Sequence, residues 1–342
     1  MFKKSLVFAV VLLAGVARSD DISSYRIQNF EQMLQRHSIT IPDHKYIESF
    51  QNWLERFFKD YEQEEVIISK FLTFCRNYDL VEKYNYEDAL KKVTYELNAY
   101  ADLSDREWQD YMMAPPEFPE AKLIQKPGSE AVEIPESVDW RNRNGTSHVT
   151  KVKYQGPCGS CWAFATTAVI ESAISIYKGW TRDLSVQQLL DCTPNTGKCK
   201  GGEPVDALQY ARDHGLVTAH EYPYTYWSRK CIDDMPISAR ISGWTSVESE
   251  EQLAQVVALQ GPAIVCANFA NNRNRFYRSG ISDIPDCSTE PTHALTVVGY
   301  GPDYWLLKNS YSSTWGEKGY MRVKRGVNWC GINTEKPLLP IL

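Results

Sequence analysis

The chain has 342 residues, enough for more than one compact unit, with 43% hydrophobic residues, 23% charged residues and a net charge of −6. That is ordinary globular composition, which excludes a disordered chain. No basic surface for nucleic acid is indicated, and no stretch approaches the ~20 apolar residues of a membrane span.

Residues 1–19 read as a cleaved secretory signal: Lys3 and Lys4, an apolar run from Leu6 to Val16, then Ala17-Arg18-Ser19 with small residues at the two positions a signal peptidase reads. Nine cysteines behind such a signal predict an oxidising compartment and structural disulfides. A secreted or lysosomal/endosomal, soluble protein is the expectation. Charge then falls unevenly along the chain. From Asp20 to Glu133 there are 13 Lys and Arg against 23 Asp and Glu, and from Ile134 to Leu342 there are 21 against 20.

A helical region follows the signal. Phe50, Trp53, Leu54 and Phe57 share one face at i, i+3, i+4, i+7 spacing, and a second helix over about Glu62 to Asn85 repeats the pattern with Ile67, Phe71, Phe74 and Val81. Periodicity alone predicts a small helical bundle. The spacing Lys70, Phe74, Asn77, Val81, Asn85 resembles the latter part of the ERFNIN pattern of cathepsin L-type propeptides, with Lys for Arg and Val for Ile. Glu96-Leu97-Asn98-Ala99-Tyr100-Ala101-Asp102 resembles that family's G-x-N-x-F-x-D element, although Val66 replaces the first expected Glu and Glu96 the Gly. This resemblance implies that residues 20–133 are an inhibitory propeptide.

From Ala114 to Pro135 the prolines Pro115, Pro116, Pro119 and Pro127 forbid a helix or central strand and predict a protease-accessible linker. Ile134-Pro135-Glu136-Ser137-Val138-Asp139-Trp140 resembles the start of mature cathepsins, which places maturation near Ile134 and a peptidase domain over 134–342. The sequon Asn144-Gly145-Thr146 is a candidate glycosylation site.

The stretch Gln155-Gly156-Pro157-Cys158-Gly159-Ser160-Cys161-Trp162 runs through a Gly/Pro turn into an Ala-rich apolar helix. Cys161 thus falls at a helix N-terminus, where unpaired N–H groups and the dipole favour the thiolate. The pair Cys158-x-x-Cys161 also admits half a zinc site or a redox pair. Zinc lacks a well-spaced second ligand pair, since Cys192 and Cys199 are poorly placed, and a redox pair needs a strand where a turn stands. No metal or cofactor is expected. Cys-Gly-Ser-Cys-Trp resembles the papain and cathepsin nucleophile block, which carries its His and Asn roughly 130 to 150 residues downstream. His293 lies 132 residues on and Asn309 lies 148 on.

Helical signals dominate up to about Gly243, and β-branched runs follow, such as Ala294-Leu295-Thr296-Val297-Val298 and Tyr304-Trp305-Leu306-Leu307. That order predicts an α+β fold. The resemblance to papain-like peptidases implies two lobes, one helical and one a β-barrel, with a cleft between them. By the same resemblance Cys161 is the nucleophile, His293 its base and later its acid, Asn309 the orienting group and Gln155 an oxyanion donor. Where the family has Ser-Trp-Gly after the Asn, this chain has Ser310-Tyr311-Ser312, so a weaker shield over the Asn–His bond is expected.

The resemblance further implies disulfides Cys158–Cys199, Cys192–Cys231 and Cys287–Cys330, leaving Cys75 and Cys266 free. It implies substrate contacts at Gly201, Gly202, Pro204, Val205, Cys266, Ala294, Trp315 and Glu335. An acid at Glu335 predicts a specificity pocket that takes Leu, Val or Phe and tolerates Arg, against the plain alternative that Glu335 faces solvent. The reading is a monomeric cysteine endopeptidase acting on proteins and peptides, made as a proenzyme held by its own propeptide, open to cystatin-type inhibitors and released in acid. The rivals are a cathepsin B-like exopeptidase, which needs an adjacent His pair absent here, and an inactive binding protein of the same fold.

Overall fold

The structure is a computed structural model that describes residues 29–40, 43–112 and 133–342. The signal and the linker over 114–132 lie outside the described residues. Two compact units are present, one running to Tyr86 with Glu96–Ser104 added, the other comprising Glu87–Tyr95 and Asp105–Leu342.

The first unit is built from helices α1 (29–36), α2 (His44–Arg56) and α3 (Glu64–Glu87). Asp43 starts α2 by accepting the Lys45 N–H at 2.9 Å. The core is aromatic: Phe50 meets Phe71 and Phe74 edge-on with centroids 5.3 and 5.2 Å apart, the arrangement ring quadrupoles favour. The sequence pattern is off by one residue at the start of α3, where Ile68 is buried and Ile67 only half so. Asn77 is buried and donates both amide hydrogens, to the carbonyls of Ala101 at 2.8 Å and Leu103 at 2.9 Å. Asp102 receives Lys59 at 3.0 Å and the Tyr61 hydroxyl at 2.5 Å. These polar residues pin the irregular 96–104 segment onto the helices. Asn77→Ala would strand two buried carbonyls, and the expected cost is about 1–3 kcal/mol, read as a lowered first melting transition of the proenzyme.

The second unit begins with strand β1 (Thr94–Tyr95) and the short helix α4 (Asp105–Tyr111). Strand β2 (Val138–Asp139) then precedes α5 (Cys161–Lys178), α6 (Val186–Cys192) and α7 (Pro204–Asp213). Next come β3 (Gly243–Ser246), α8 (Glu250–Leu259), β4 (Ala263–Ala267), α9 (Asn272–Arg275), β5 (Tyr277–Ser279) and β6 (Ile281–Ser282). Strands β7 (His293–Tyr300), β8 (Tyr304–Lys308), β9 (Tyr320–Lys324) and β10 (Leu338–Ile341) complete the chain. The main sheet runs β3-β10-β4-β7-β8-β9-β6, with β2 added to β7, while β1 pairs with β5. Helices come first and strands later, so the fold is α+β.

Two elements set the site. α5 is buried on every face from Cys161 to Ser175, in keeping with its largely apolar sequence, and the buried Glu171 is the one charge within that stretch. β7 is buried along its whole length because α5 and α8 pack against it, so its run Ala294–Val298 shows no polar alternation. Gly299 lets β2 approach, since a Cβ there would lie 2.1 Å from the Val138 carbonyl oxygen. Disulfides join Cys158 to Cys199, Cys192 to Cys231 and Cys287 to Cys330.

Candidate active site

Cys161 is the first residue of α5 and His293 the first of β7. The Ala294 N–H reaches the Cys161 thiol, so the two element starts meet. Asn309 directly follows β8, which pairs with β7 through Thr296↔Lys308. Its Oδ1 accepts from His293 Nε2 at 2.8 Å and from the Ser310 N–H at 2.7 Å. The backbone donor fixes the amide's orientation, so Nε2 carries the proton and Nδ1 is left with the lone pair. Gln155 is buried, and its amide donates one hydrogen to the Cys158 carbonyl at 3.0 Å while Oε1 accepts from Ser310 Oγ at 2.6 Å. The second amide hydrogen remains available to a developing oxyanion. A thiol, an imidazole oriented by an amide and a side-chain N–H donor are the parts acyl transfer needs.

In this form burial opposes the thiolate that the helix N-terminus favours. Burial pushes the Cys161 thiol up to about 12, against the pull of the backbone N–H groups of Ala294, Trp162 and Cys161 itself. Burial likewise lowers His293 to about 4, although the Asn309 bond opposes it. Desolvation thus disfavours the charged form of each group.

Tyr311 packs on the imidazole and is itself covered. Its ring lies 4.8 Å from the His293 ring, its hydroxyl 3.4 Å from Nδ1, and it is 1% exposed. α4 covers it: Trp108 sits edge-on at 5.8 Å, Tyr111 at 5.8 Å, and the Tyr311 hydroxyl points at Met112 Sδ, 3.9 Å away. Trp108 is anchored by donating its indole N–H to the Phe269 carbonyl at 3.1 Å. The sequence reading missed this cover, because a seven-residue helix offers too few turns for a periodic signal.

It also missed a buried charge network behind the site. Glu171 on α5 accepts from Thr150 Oγ1 and Lys153 Nζ, both at 2.6 Å, and from the Leu184 N–H at 2.7 Å. Lys308, beside Asn309, donates to Thr150 Oγ1 at 3.0 Å and is pushed down to about 8 by burial. A cavity of about 20 Å³ lined by Lys153, Glu171, Lys308 and Asn309 adjoins the network. The available signal was one acid inside an apolar helix. Tyr224 was missed too; its hydroxyl donates to the Gln155 carbonyl at 2.7 Å and lies 2.7 Å from Ser160 Oγ, fixing the loop before the thiol.

Of the expected substrate contacts, Gly201 is buried and Gly202 half-buried, and a Cβ on Gly202 would strike Trp162 at 2.7 Å. Pro204 and Val205 open α7, and Cys266 faces Ala294 across β4 and β7. Trp315 is buried and donates to the Arg275 carbonyl at 3.1 Å. Glu335 is half-buried and its carboxyl is raised by burial, while its charge acts on Cys266. Cys266 is itself a buried thiol, Cys75 is half-buried and Asn144 is exposed in a turn.

A family model described as papain family cysteine protease matches residues 134–339, and one described as cathepsin propeptide inhibitor domain (I29) matches residues 50–108. Papain of Carica papaya is 34% identical over 307 residues, covering 85% of this chain and 86% of that protein. A cathepsin L-like protein of Caenorhabditis elegans is 35% identical over 308 residues, covering 84% and 90%. The structure of digestive procathepsin L2 proteinase from Tenebrio molitor larval midgut superposes with a TM-score of 0.79 at 31% identity, covering 87% of this chain and all of that one.

Proposed function

The chain belongs to the papain family of cysteine proteases and carries a cathepsin-type propeptide inhibitor domain, and from that premise we propose that Cys161, His293, Asn309 and Gln155 perform its chemistry. The supporting observation is the hydrogen-bonded set Gln155–Ser310–Asn309–His293 next to the thiol. In this reading Cys161 attacks the scissile carbonyl as thiolate, with His293 holding the proton. The oxyanion forms against the Gln155 amide and the Cys161 N–H, and His293 then protonates the leaving amine. Water hydrolyses the thioester by the same route in reverse order.

The enzyme is an endopeptidase in this proposal, since no His pair is at hand to hold a substrate's carboxyl end. We assign residues 1–19 to a signal, 20–133 to the inhibitory propeptide and 134–342 to the peptidase, with secreted or lysosomal delivery, a glycan on Asn144, a monomeric state and sensitivity to cystatin-type inhibitors. Acid release is part of the same reading. The test is to incubate the purified proenzyme with reductant at pH 4.5 and pH 7, follow conversion, and assay fluorogenic peptides carrying Phe-Arg or Arg-Arg before the dye. Conversion and hydrolysis in acid, both stopped by one equivalent of a thiol-alkylating reagent mapped to Cys161, is the expected result. Folded, processed protein that cleaves nothing would point to a binding-only member of the family.

Glu335 decides the second residue before the cut. Its partly desolvated carboxyl, coupled to Cys266, supports a position at the floor of the pocket. Glu335→Ala is expected to lower kcat/KM for Arg-Arg peptides about tenfold, the scale of one partly buried charge contact, and to leave Phe-Arg peptides within about twofold. Equal loss on both peptides would place the side chain in solvent.

A further inference from the structure

Residues 272–278, Asn-Arg-Asn-Arg-Phe-Tyr-Arg, place three arginines in seven positions, and two of them are covered by acids of the propeptide. Arg273 is paired with Glu87 at 2.5 Å and with Asp88 at 3.0 Å. Arg275 lies 3.9 Å from Asp105, whose carboxylate also accepts the Asn272 amide at 2.9 Å, and its guanidinium stacks 5.5 Å from the Trp108 ring. Arg275 is fully buried in this form. All these acids lie in Glu87–Tyr95 and Asp105–Tyr111, the parts removed by cleavage near Ile134.

The segment sits on a definite side of the chemistry. The Arg275 carbonyl accepts the Trp315 indole N–H, Trp315 packs edge-on against Tyr311 at 5.6 Å, and Tyr311 lies on His293. The imidazole hands its proton to the leaving amine, so this is the leaving-group side of the cleft. We propose that in the mature enzyme Arg273 and Arg275 recognise acidic side chains of the substrate beyond the scissile bond, taking the places that Glu87, Asp88 and Asp105 hold in the proenzyme. The proposal rests on the assignment of Cys161 and His293 above. Its physical basis is that arginine suits carboxylates, and that a guanidinium flanked by Phe276 at 4.5 Å is already partly desolvated and held in place.

The experiment uses the acid-matured enzyme and internally quenched peptides with one common sequence before the cut and Asp, Ala or Lys at the second to fourth positions after it. At pH 5.5 and low salt the Asp peptides are expected to exceed the Lys peptides roughly fivefold in kcat/KM per paired charge, with the ratio falling toward one in 0.5 M NaCl. Arg275→Gln and Arg273→Gln should each reduce that ratio. Titration with an irreversible thiol-directed inhibitor counts competent sites, so that a misfolded variant is recognised and the other variant and the salt series carry the test. Equal cleavage of Asp and Lys peptides by the wild type, or a ratio untouched by either substitution, overturns the proposal. If even the Ala peptides are inert while Cys161 titrates, the peptidase assignment has failed instead.

Discussion

Trp108→Ala should unlock the proenzyme at neutral pH. The indole is fully buried, donates to the Phe269 carbonyl, stacks on Tyr111 at 5.4 Å and covers Tyr311, which in turn covers His293. Removing a buried Trp side chain costs about 3–5 kcal/mol, and here that cost falls on the docking of α4. The population in which Cys161 and His293 meet water should rise by about 10²-fold to several 10³-fold, at ~1.4 kcal/mol per tenfold. Iodoacetamide labelling of Cys161 at pH 7, mapped by mass spectrometry to separate it from Cys75 and Cys266, reads the change directly. A labelling rate equal to wild type would show that α4 is not what keeps the thiol protonated.

The same cover gives acid release a sign. A His whose value drops from 6.5 to about 4 on burial takes up its proton in the uncovered state first. Between about pH 6.5 and 4 each unit of acidification therefore favours the uncovered state by up to ~1.4 kcal/mol, and below pH 4 the effect levels off. Asp88 adds to it at lower pH. Burial alone would raise its carboxyl, but the Tyr95 hydroxyl, Arg273 and Lys91 outweigh that and hold it below the usual range, so this docking contribution is present above the ordinary carboxylate pKa and disappears as pH falls through the lowered one. Hydrogen exchange of α4 in Cys161→Ser proenzyme, which is unable to cut itself, should show opening that steepens through this window.

Gln155→Ala should lower kcat by about 10²- to 10³-fold, with KM changed far less. The side chain is held from both ends, by Ser310 Oγ and the Cys158 carbonyl, so its remaining N–H is aimed before substrate arrives. Cys161 labelling by iodoacetamide in the matured variant should persist, since that reaction builds no oxyanion. Gln155→Glu replaces the donor with a charge and should be at least as slow. A variant with near wild-type kcat would remove Gln155 from the proposed mechanism.

Cys161, His293 and Asn309 were picked out by the resemblance of their flanks and spacing to papain-like blocks, and β7 was legible because a strand buried on both faces reads as a largely apolar run. The start of α3 was misread by one residue, since over 24 residues a 3.6-residue period leaves neighbouring isoleucines nearly equivalent. The effect of burial on Cys161 was not legible for a different reason. A helix N-terminus is local and visible in sequence, whereas the desolvation that opposes it comes from packing against elements far along the chain, such as the start of β7 beside the thiol. Arg273 and Arg275 carried no signal in the sequence for the same cause: their partners Glu87, Asp88 and Asp105 are far away in the chain.

The network around Glu171 has a mechanical consequence. One carboxylate clasps three separate carriers: the helix that bears Cys161, the 150–155 segment that leads into Gln155, and through Thr150 the Lys308 end of the strand that delivers Asn309. The proposed nucleophile, oxyanion donor and orienting amide are thereby hung from a common pin. A misplacement of about 1 Å among such groups is enough to cost a hundredfold in rate, so thermal rocking of one carrier is harmless only when the other two swing with it. The alignment is set like a tripod, by a joint that substrate never touches.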